Sequence, residues 1–439
     1  MVKAADPIQP AAAAGGPPTP APDALRSALA AVDRARGRHH RNPARLVTVE
    51  RARELAKRRV PRAVFDYIDG GSETEGTLRA NRQALAQVGF RPKMGQTDGA
   101  VPPVLSTTVL GTPVSLPILL GPVGFTRMMD RQGDVAGARA AGAAGTAFTL
   151  STMSGHGIEE VAAAATGPLW FQLYFLGGRV GARQLVERAR QAGYGALLVT
   201  MDTQIPGNRE RDLRHGVSPP LRLDARMVAK FAPQAAFKPD WVFDLARDRF
   251  SLEIVNATNL GPPERPMSVG EALLEWTAAP PRWEDFAWLR EVWDGPVVAK
   301  GIVTGEDARR AVDAGASAII VSNHGGRQLD GMPASMPALV EVLDAVGDQV
   351  EVLVDGGIRR GSDAVRALSL GARAVLIGRA WAYGLAAAGE PGVAKVLSLL
   401  RTDMDRTMRL LGCASVHDLD RSLVDYPAEW HRTVQAADE

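Results

Sequence analysis

Cysteine is almost absent from this sequence of 439 residues. The single one, Cys413, excludes an intramolecular disulfide and leaves no cysteine cluster to hold a metal ion. We therefore expect no metal site, and we expect a reducing, cytoplasmic compartment.

Charge of one sign, long apolar runs and nucleotide-binding glycine motifs are also lacking. A net charge of +2 argues against nucleic acid as the partner. No run approaches the ~18 apolar residues that a membrane-spanning helix needs, and the N-terminus has no apolar signal-peptide core. Because neither G-x-G-x-x-G nor G-x-x-x-x-G-K-[ST] occurs, the usual dinucleotide and P-loop devices are excluded.

The first 46 residues differ in composition from the rest of the chain. Residues 1–22 are rich in Ala, Pro and Gly, and they carry too little apolar surface to offset the entropy lost on ordering. The basic run Arg34–Arg41 that follows is typical of a solvated linker, with contact to anionic lipid or nucleic acid as the alternative. The composition predicts a disordered tail over residues 1–46 and one folded domain over 47–439.

The folded domain alternates short apolar runs with amphipathic helical segments. The helical pattern begins at Val49–Ala56, and Pro61 opens a second helix. Eight apolar runs follow: Pro117–Val123, Thr146–Ser151, Trp170–Tyr174, Ala196–Asp202, Val297–Gly301, Ala318–His324, Glu351–Gly357 and Ala374–Arg379. This alternation predicts an α/β fold, a parallel (β/α)8 TIM barrel over about residues 111–395, with an N-terminal helical lead-in and C-terminal helices over about 396–439. A doubly wound open sheet is the alternative, but it usually has fewer strands and an early glycine-rich turn.

One connection is several times longer than the others. It joins Asp202 to Val297, and we place an insertion after the fourth strand at about residues 207–282. Connections of this length in compact domains are usually functional. Because it contains Phe231, Phe237 and Trp241, we expect a substrate lid, with a peripheral membrane patch or a core-packing subdomain as alternatives.

Reactive side chains gather where the predicted strands end. They are Tyr174, Thr200, Asp202, Lys300, Ser322, His324, Asp355 and Arg379. Barrel enzymes place their active sites on this face. Within the nonapeptide Ser322–Asp330, an imidazole and a guanidinium lie three residues apart, which supplies a base and an anion clamp.

The last two strand ends predict a phosphate site. Asp355–Gly361 and Gly378-Arg379 combine glycines and arginines at the barrel corner that commonly binds phosphate. Lys300, expected deep in the barrel mouth, needs an anionic or electron-rich partner. A Schiff-base role is the alternative for Lys300, but it leaves His324 and Arg327 without a function.

Together these motifs resemble the FMN-dependent 2-hydroxy-acid oxidase and dehydrogenase family, which includes L-lactate dehydrogenases and glycolate oxidase. The resemblance covers about residues 47–430. It is carried by Ser322–Asp330, Phe65–Gly71, Phe171–Tyr174, and Thr200–Asp202 with Arg209. It implies FMN as the cofactor.

The resemblance also implies a role for each matching residue. His324 is the base that takes a proton from the substrate, and Asp202 orients His324 and stabilises its imidazolium. Arg327, Tyr67 and Arg209 hold the substrate carboxylate, and Tyr174 bonds to the substrate hydroxyl. The residues implied to hold FMN are Val123, Gly124, Ser151, Gln172, Thr200, Lys300, Ser322, Asp355, Gly356, Gly357, Arg359, Gly378 and Arg379.

Two positions depart from the family pattern. Pro122-Val123-Gly124 stands where many members have Pro-Thr-Ala or Pro-Thr-Gly, which removes one hydroxyl near the flavin. Met153 stands where glycolate oxidase-like members carry an aromatic residue, which indicates a different or larger substrate side chain.

We therefore expect FMN-dependent oxidation of an L-2-hydroxy acid, lactate-like or larger, to the 2-oxo acid. The alternatives are oxidation of a peptide-derived cofactor precursor, as in mycofactocin-type maturation, and an inert flavoprotein that serves as a binding module. The electron acceptor stays open among oxygen, a quinone and a carrier. The resemblance implies a homo-oligomer, tetramer or octamer, in the cytoplasm or peripheral at a membrane.

Overall fold

The computed structural model describes residues 42–96, 101–215, 233–234, 237–247, 254–258, 260–261 and 269–431. Residues 1–41 of the predicted disordered tail, with the basic run, lie outside the described residues, as does Phe231 of the insertion. The last five residues assigned to the tail are described and are ordered: Pro43–Arg45 form a 3-10 turn and Leu46 is buried in the core.

Eight parallel strands close into a barrel. The strands, numbered along the chain, are β1 Gly89–Phe90, β2 Thr107–Val109, β3 Thr112–Val114, β4 Ile118–Leu120, β5 Phe148–Ser151, β6 Leu169–Leu173, β7 Ala196–Thr200, β8 Val297–Ile302, β9 Ala318–Val321, β10 Glu351–Asp355, β11 Val375–Ile377 and β12 Val424–Asp425. Strands β4 to β11 form the closed barrel, in which β11 pairs with β4. The predicted TIM barrel is confirmed, and each of the eight apolar runs corresponds to one of its strands.

Alternation along the barrel strands divides the core into two layers. In β4, Leu119 belongs to the inner cluster, whereas Ile118 and Leu120 pack in the outer cluster with the helices. Val109 and Val114 of the β2–β3 hairpin also join the inner cluster. The hairpin therefore closes the N-terminal end of the barrel, and the C-terminal end is left for a site.

Helices surround the barrel. They are α1 Val49–Arg59, α2 Arg62–Asp69, α3 Gly76–Gln87, α4 Gly133–Ala143, α5 Ile158–Ala164, α6 Gly178–Gln191, α7 Glu210–His215, α8 Pro239–Arg247, α9 Val269–Ala278, α10 Asp285–Val292, α11 Gly305–Asp313, α12 Ser335–Val346, α13 Gly361–Leu370 and α14 Arg379–Leu411. The lead-in helix α1 begins where the Thr48 side chain accepts a hydrogen bond from the Arg51 backbone N–H, and α1 packs against α14. Among the described residues, no helix is long and apolar enough to span a membrane.

The C-terminal segment differs from the helices expected there. Helix α14 is kinked at Ala388-Gly389 and ends at Gly412, whose φ of 78° is in the left-handed region that favours glycine. Beyond this cap the chain forms short 3-10 turns and strand β12, which pairs with β1. Buried Cys413 therefore lies just past the helix end and not within a helix.

Candidate active site

A cavity of about 510 Å3 lies at the C-terminal end of the barrel. Most of the predicted site residues line it: Tyr67, Val123, Gly124, Ser151, Gln172, Tyr174, Thr200, Arg209, Lys300, His324, Arg327, Asp355, Gly356, Gly357, Arg359, Gly378 and Arg379. Asp202 and Ser322 do not line the cavity, but they bond to side chains that do. The barrel thus brings together residues from all parts of the folded domain.

His324 is held beside a buried carboxylate. Its Nδ1 lies 3.3 Å from Asp202 Oδ1, and 3.5 Å from the Thr203 hydroxyl oxygen. The His324 backbone donates to the Ser322 hydroxyl oxygen at 3.1 Å and has a φ of 56°, which is uncommon for a residue other than glycine. The imidazole is 27% exposed and the Asp202 side chain 3%, so only the imidazole is open to a ligand.

The Asp202 carboxylate is held in its charged form. Burial alone would raise the pKa of Asp202, but the attraction of a protonated His324 and the hydrogen bond between the two side chains outweigh burial. Lys300 and Thr203 add to this effect, and the pKa of Asp202 is below its usual range. An ionised Asp202 can therefore stabilise a positive charge on His324.

Two arginines flank the ring of Tyr67. The guanidinium carbons of Arg327 and Arg209 lie 4.9 and 5.8 Å from its centroid. Arg327 Nη1 donates to the backbone oxygens of Tyr67 and Gly70, at 2.7 and 3.1 Å. Burial, and then the charge of Arg209, lowers the pKa of Arg327. Arg209 is 23% exposed, and its Nε lies 3.4 Å from Asp212 Oδ2. Two guanidinium groups with one nearby carboxylate leave this wall of the cavity positive, which favours an anionic ligand.

Tyr174 completes this side of the cavity. Burial, followed by the charge of Asp202, raises the pKa of its phenol well above the usual range. Its ring packs against Trp276 of α9, with the centroids 4.8 Å apart. A neutral Tyr174 keeps its hydroxyl proton and can donate a hydrogen bond to a ligand oxygen.

A chain of buried polar side chains crosses the base of the cavity. The Ser151 hydroxyl donates to Gln172 Oε1 at 3.1 Å, and Gln172 Nε2 donates to the Thr200 hydroxyl oxygen at 3.0 Å. These bonds fix three side chains at the C-terminal ends of the neighbouring strands β5, β6 and β7.

Lys300 has a carboxylate partner that the sequence did not reveal. Its Nζ lies 3.1 Å from Asp355 Oδ2 and donates to the Ser322 hydroxyl oxygen at 2.9 Å. Burial would lower the pKa of Lys300, but the charges of Asp355 and Asp202 outweigh it and raise that pKa. Lys300 therefore remains an ammonium ion, which argues against the Schiff-base alternative because that chemistry needs a neutral amine.

The corner after β10 and β11 is rich in positive charge. Arg379 donates to the backbone oxygens of Ile68, Gly325 and Gly70, at 3.1, 2.8 and 2.8 Å. Burial, and then the charge of Arg327, lowers the pKa of Arg379 to about 9. Arg359 stacks on Tyr383 at 5.0 Å.

Several contacts at the site were not predicted from the sequence. Gln328 Nε2 donates to the backbone oxygens of Asp202 and Ile205, at 3.1 and 3.0 Å, which ties together the loops after β7 and β9. The amides of Asn81 and Asn323 bond to each other twice, each at 2.8 Å, and join α3 to the loop after β9. Trp276 comes from the insertion. Gln328 and Asn323 both belong to the nonapeptide Ser322–Asp330, but no spacing in the sequence pairs them with these partners.

The whole folded domain matches a known family. The model for the family described as FMN-dependent dehydrogenase matches residues 56–426. This chain belongs to the FMN-dependent dehydrogenase family. The predicted membership is thus confirmed, and FMN is the cofactor of this enzyme.

Three similar proteins carry different names. A pre-mycofactocin synthase of Mycobacterium tuberculosis is 46% identical over 391 residues, which cover 88% of this chain and 96% of the relative. An L-lactate dehydrogenase of Caulobacter vibrioides is 43% identical over 385 residues, which cover 85% and 96%. The crystal structure of the monotopic membrane protein (S)-mandelate dehydrogenase superposes with a TM-score of 0.79 at 38% identity, covering 87% of this chain and all of that one.

The residues that line the cavity are suited to FMN. Among the described residues, no carboxylate lies within ion-pair distance of the guanidinium groups of Arg359 and Arg379; Arg359 contacts Tyr383, and Arg379 bonds to backbone oxygens. The nearest carboxylate of this corner, Asp363, accepts hydrogen bonds from the backbone N–H groups of Arg359 and Arg360. A Cβ atom added to Gly378 would meet only Val123, at 3.8 Å, which leaves space beside this backbone. A phosphate group would supply the missing charge at this corner.

Proposed function

We propose that this enzyme oxidises an L-2-hydroxy acid to the 2-oxo acid, with His324 as the base. One observation carries the proposal: His324 pairs with buried, ionised Asp202 in the same cavity as the paired cations Arg327 and Arg209. A base beside an anion clamp suits a substrate whose hydroxyl and carboxylate sit on adjacent carbons.

The binding roles follow from the charges of the wall. Arg327 and Arg209 hold the substrate carboxylate, because the two guanidinium groups flank Tyr67 in the cavity wall and carboxylates match the guanidinium fork. Tyr67 lies between them and keeps both guanidinium groups in place through its ring. Tyr174, which stays protonated, donates a hydrogen bond to the hydroxyl oxygen of the substrate.

The proton removed from the substrate goes to His324. The imidazolium so formed is stabilised by Asp202, whose Oδ1 lies 3.3 Å from Nδ1. Thr203 donates to the same Asp202 oxygen at 3.1 Å and helps to orient the carboxylate. Bound FMN supplies the acceptor for the two electrons. Gly357, Arg359, Gly378 and Arg379 would hold its phosphate, and its ring site would be lined by Val123, Gly124, Ser151, Gln172, Thr200, Lys300, Asp355 and Gly356. Ser322, which lies outside the cavity lining, would act through its hydrogen bond with Lys300.

Anaerobic mixing of the FMN-loaded protein with L- and D-2-hydroxy acids tests this function. We expect one enantiomer of at least one acid to bleach the oxidised flavin absorbance, and the 2-oxo acid to appear in equal amount. Flavin that binds and is bleached by none of the acids would contradict the proposal.

A second candidate function is oxidation of a peptide-derived cofactor precursor. It is supported by the 46% identity to a protein named pre-mycofactocin synthase and by Met153, which lines the cavity. The same anaerobic assay separates the two candidates, because a peptide-derived precursor would then bleach the flavin while the simple acids would not.

The assembly, the location and the electron acceptor of the enzyme complete the proposal. We infer a homo-oligomer, tetramer or octamer, acting in the cytoplasm and in peripheral contact with a membrane, in line with the membrane-associated (S)-mandelate dehydrogenases. Light scattering after size-exclusion chromatography tests the assembly, and flotation with vesicles tests membrane contact. Readmitting oxygen to the reduced enzyme distinguishes oxygen from a quinone or carrier as the acceptor.

A further inference from the structure

The loop that carries the base has an unusual backbone. His324, Gly325 and Gly326 follow one another with φ values of 56°, 63° and 73°, so three consecutive residues are in the left-handed region. This region is unfavourable for a residue with a Cβ atom, as His324 has. Such a conformation persists only where the surrounding contacts fix it. The contacts made by the neighbours of His324 therefore determine where the imidazole lies.

Asn323, the residue before His324, is fixed by a buried pair of amides. Asn323 is 0% exposed and Asn81 is 2% exposed, and each amide donates to the oxygen of the other at 2.8 Å. Backbone groups set the orientation of both amides. The Ser335 N–H donates to Asn81 Oδ1 at 2.9 Å, and the Pro333 carbonyl accepts from Asn323 Nδ2 at 2.9 Å. Neither amide can turn over without losing these bonds.

Helix α3, which carries Asn81, also holds the far end of the nonapeptide. The Asp330 carboxylate accepts from the backbone N–H groups of Gly76 and Thr77 at the start of α3, at 3.0 and 2.7 Å. The contacts of Asp330 and of Asn81 lie about one helical turn apart along α3. The helix is thus a support for the whole loop, and Asn81 supports the end that lies next to His324.

We propose that Asn81 is a positioning residue that acts through Asn323 and keeps His324 beside Asp202. Without the Asn81 amide, the loop is free to leave its left-handed backbone. The imidazole then moves away from Asp202 and from the proton that it removes, and a small displacement of a base is enough to slow proton transfer. This inference rests on the proposed function, since it assumes that His324 is the base.

The contacts that bind the substrate carboxylate do not depend on the amide pair. Arg327 Nη1 has its own bonds to the backbone oxygens of Tyr67 and Gly70, and Asn81 does not line the cavity. Loss of the Asn81 amide should therefore slow flavin reduction and leave the binding of the 2-oxo acid and of FMN nearly unchanged. A residue that only stabilised the fold would affect all three.

Anaerobic flavin reduction at saturating substrate tests the role of Asn81. The FMN-loaded wild type is compared with Asn81→Ala, Asn323→Ala, the double variant, and Gln83→Ala on the exposed face of α3. We expect the rate constant to fall about 10- to 100-fold in each single variant. The double variant should be no more than about threefold slower than the slower single variant, because the two amides act as one unit. Gln83→Ala should match the wild type.

Binding measurements and a milder variant complete the test. Perturbation of the flavin absorbance gives the Kd of the 2-oxo acid, and flavin fluorescence gives the Kd of FMN. Both should change less than about threefold in Asn81→Ala. If that variant does not fold, Asn81→Asp at pH 8 replaces it. This variant keeps the shape and the acceptor oxygen but loses the donor to Asn323 Oδ1, so it should slow reduction about 2- to 13-fold, the value of one hydrogen bond.

Three results would each overturn the role of Asn81 and leave the proposed function standing. They are a folded Asn81→Asp with the wild-type rate of reduction, losses that multiply in the double variant, and binding that weakens as much as the rate falls. A wild type whose flavin no 2-hydroxy acid bleaches would overturn the proposed function, and this inference with it.

Discussion

At the scale of single residues, a side chain of the site can bond to the backbone through some of its polar atoms and offer the other polar atoms to a ligand. Arg327 uses Nη1 for two backbone oxygens, which leaves the other guanidinium nitrogens for the substrate. Lys300, in contrast, has its ammonium group paired with Asp355 and Ser322. We therefore expect residue 327 to need the several nitrogen atoms of a guanidinium group, and not only a positive charge.

Arg327→Lys tests this need. A lysine has one nitrogen and cannot bond to Tyr67, Gly70 and a carboxylate in the same way, so we expect kcat/KM to fall about 10- to 100-fold, largely through KM. Steady-state kinetics measures it, with Arg406→Lys on the exposed side of α14 as the matched control. Kinetics equal to those of the control would remove Arg327 from the site.

At the scale of elements, one carboxylate joins four helices around the site. Asp69 at the end of α2 bonds to Arg53 of α1 at 2.5 and 2.8 Å, to Arg211 of α7 at 3.0 Å and to Tyr383 of α14 at 2.6 Å. Burial would raise the pKa of Asp69, but the hydrogen bonds from Arg53 and Tyr383 outweigh it and hold that pKa well below the usual range. Asp69 thus links the N-terminal helices α1 and α2 to α7 and α14, beside the arginines that we assign to the substrate carboxylate.

Asp69→Asn tests the pH dependence of this junction. A lowered pKa in the folded protein contributes stability that is fully present above the unfolded value of about 3.9 and is lost progressively as the pH falls from there through the much lower folded pKa. We expect Asp69→Asn to destabilise the protein by about 1 to 2 kcal/mol at pH 7, because the charged acceptor of the hydrogen bonds from Arg53, Arg211 and Tyr383 is removed, and by less at pH 3, where part of the contribution of the wild-type carboxylate is already lost. Thermal melts across this range measure it, with Asp405→Asn as the control. An equal deficit at both pH values would contradict the assignment.

The elements also show how far sequence reasoning reaches. The barrel strands could be predicted because parallel strands buried on both faces are continuous apolar runs, and the positions of His324 and Asp202 followed from the strand ends. The pairing of Lys300 with Asp355 could not, because β9 lies between their two strands and Ser322 bridges the gap. Trp276 could not be predicted as a cavity residue, because the sequence does not fix where a helix of a long insertion lies relative to the barrel.

At the scale of the whole molecule, the cavity is a concentration of positive charge inside a nearly neutral chain. The net charge is +2, yet Arg209, Arg327, Arg359 and Arg379 all face one cavity. Mutual repulsion lowers the pKa of Arg327 and of Arg379 beyond the effect of burial. We therefore expect bound FMN to stabilise the fold as well as to supply the chemistry.

Removal of FMN tests this linkage. Saturation at about 100 times the Kd adds roughly 2.7 kcal/mol to the stability, so FMN should raise the Tm of the apoprotein by several degrees.

In Arg359→Met we expect the Kd for FMN to rise about 10- to 100-fold, with the affinity for riboflavin, which has no phosphate, unchanged. Equal losses for both flavins would show that Arg359 does not hold the phosphate.

The most direct measurement is the rate of anaerobic flavin reduction in His324→Asn. Asparagine tolerates the left-handed backbone at this position, where φ is 56°, so the variant should keep the loop and bind FMN as tightly as the wild type. With the base removed, we predict that flavin reduction by the best 2-hydroxy acid slows about 100- to 10,000-fold. Reduction within tenfold of the wild-type rate, with FMN fully bound, would contradict the assignment of His324 as the base.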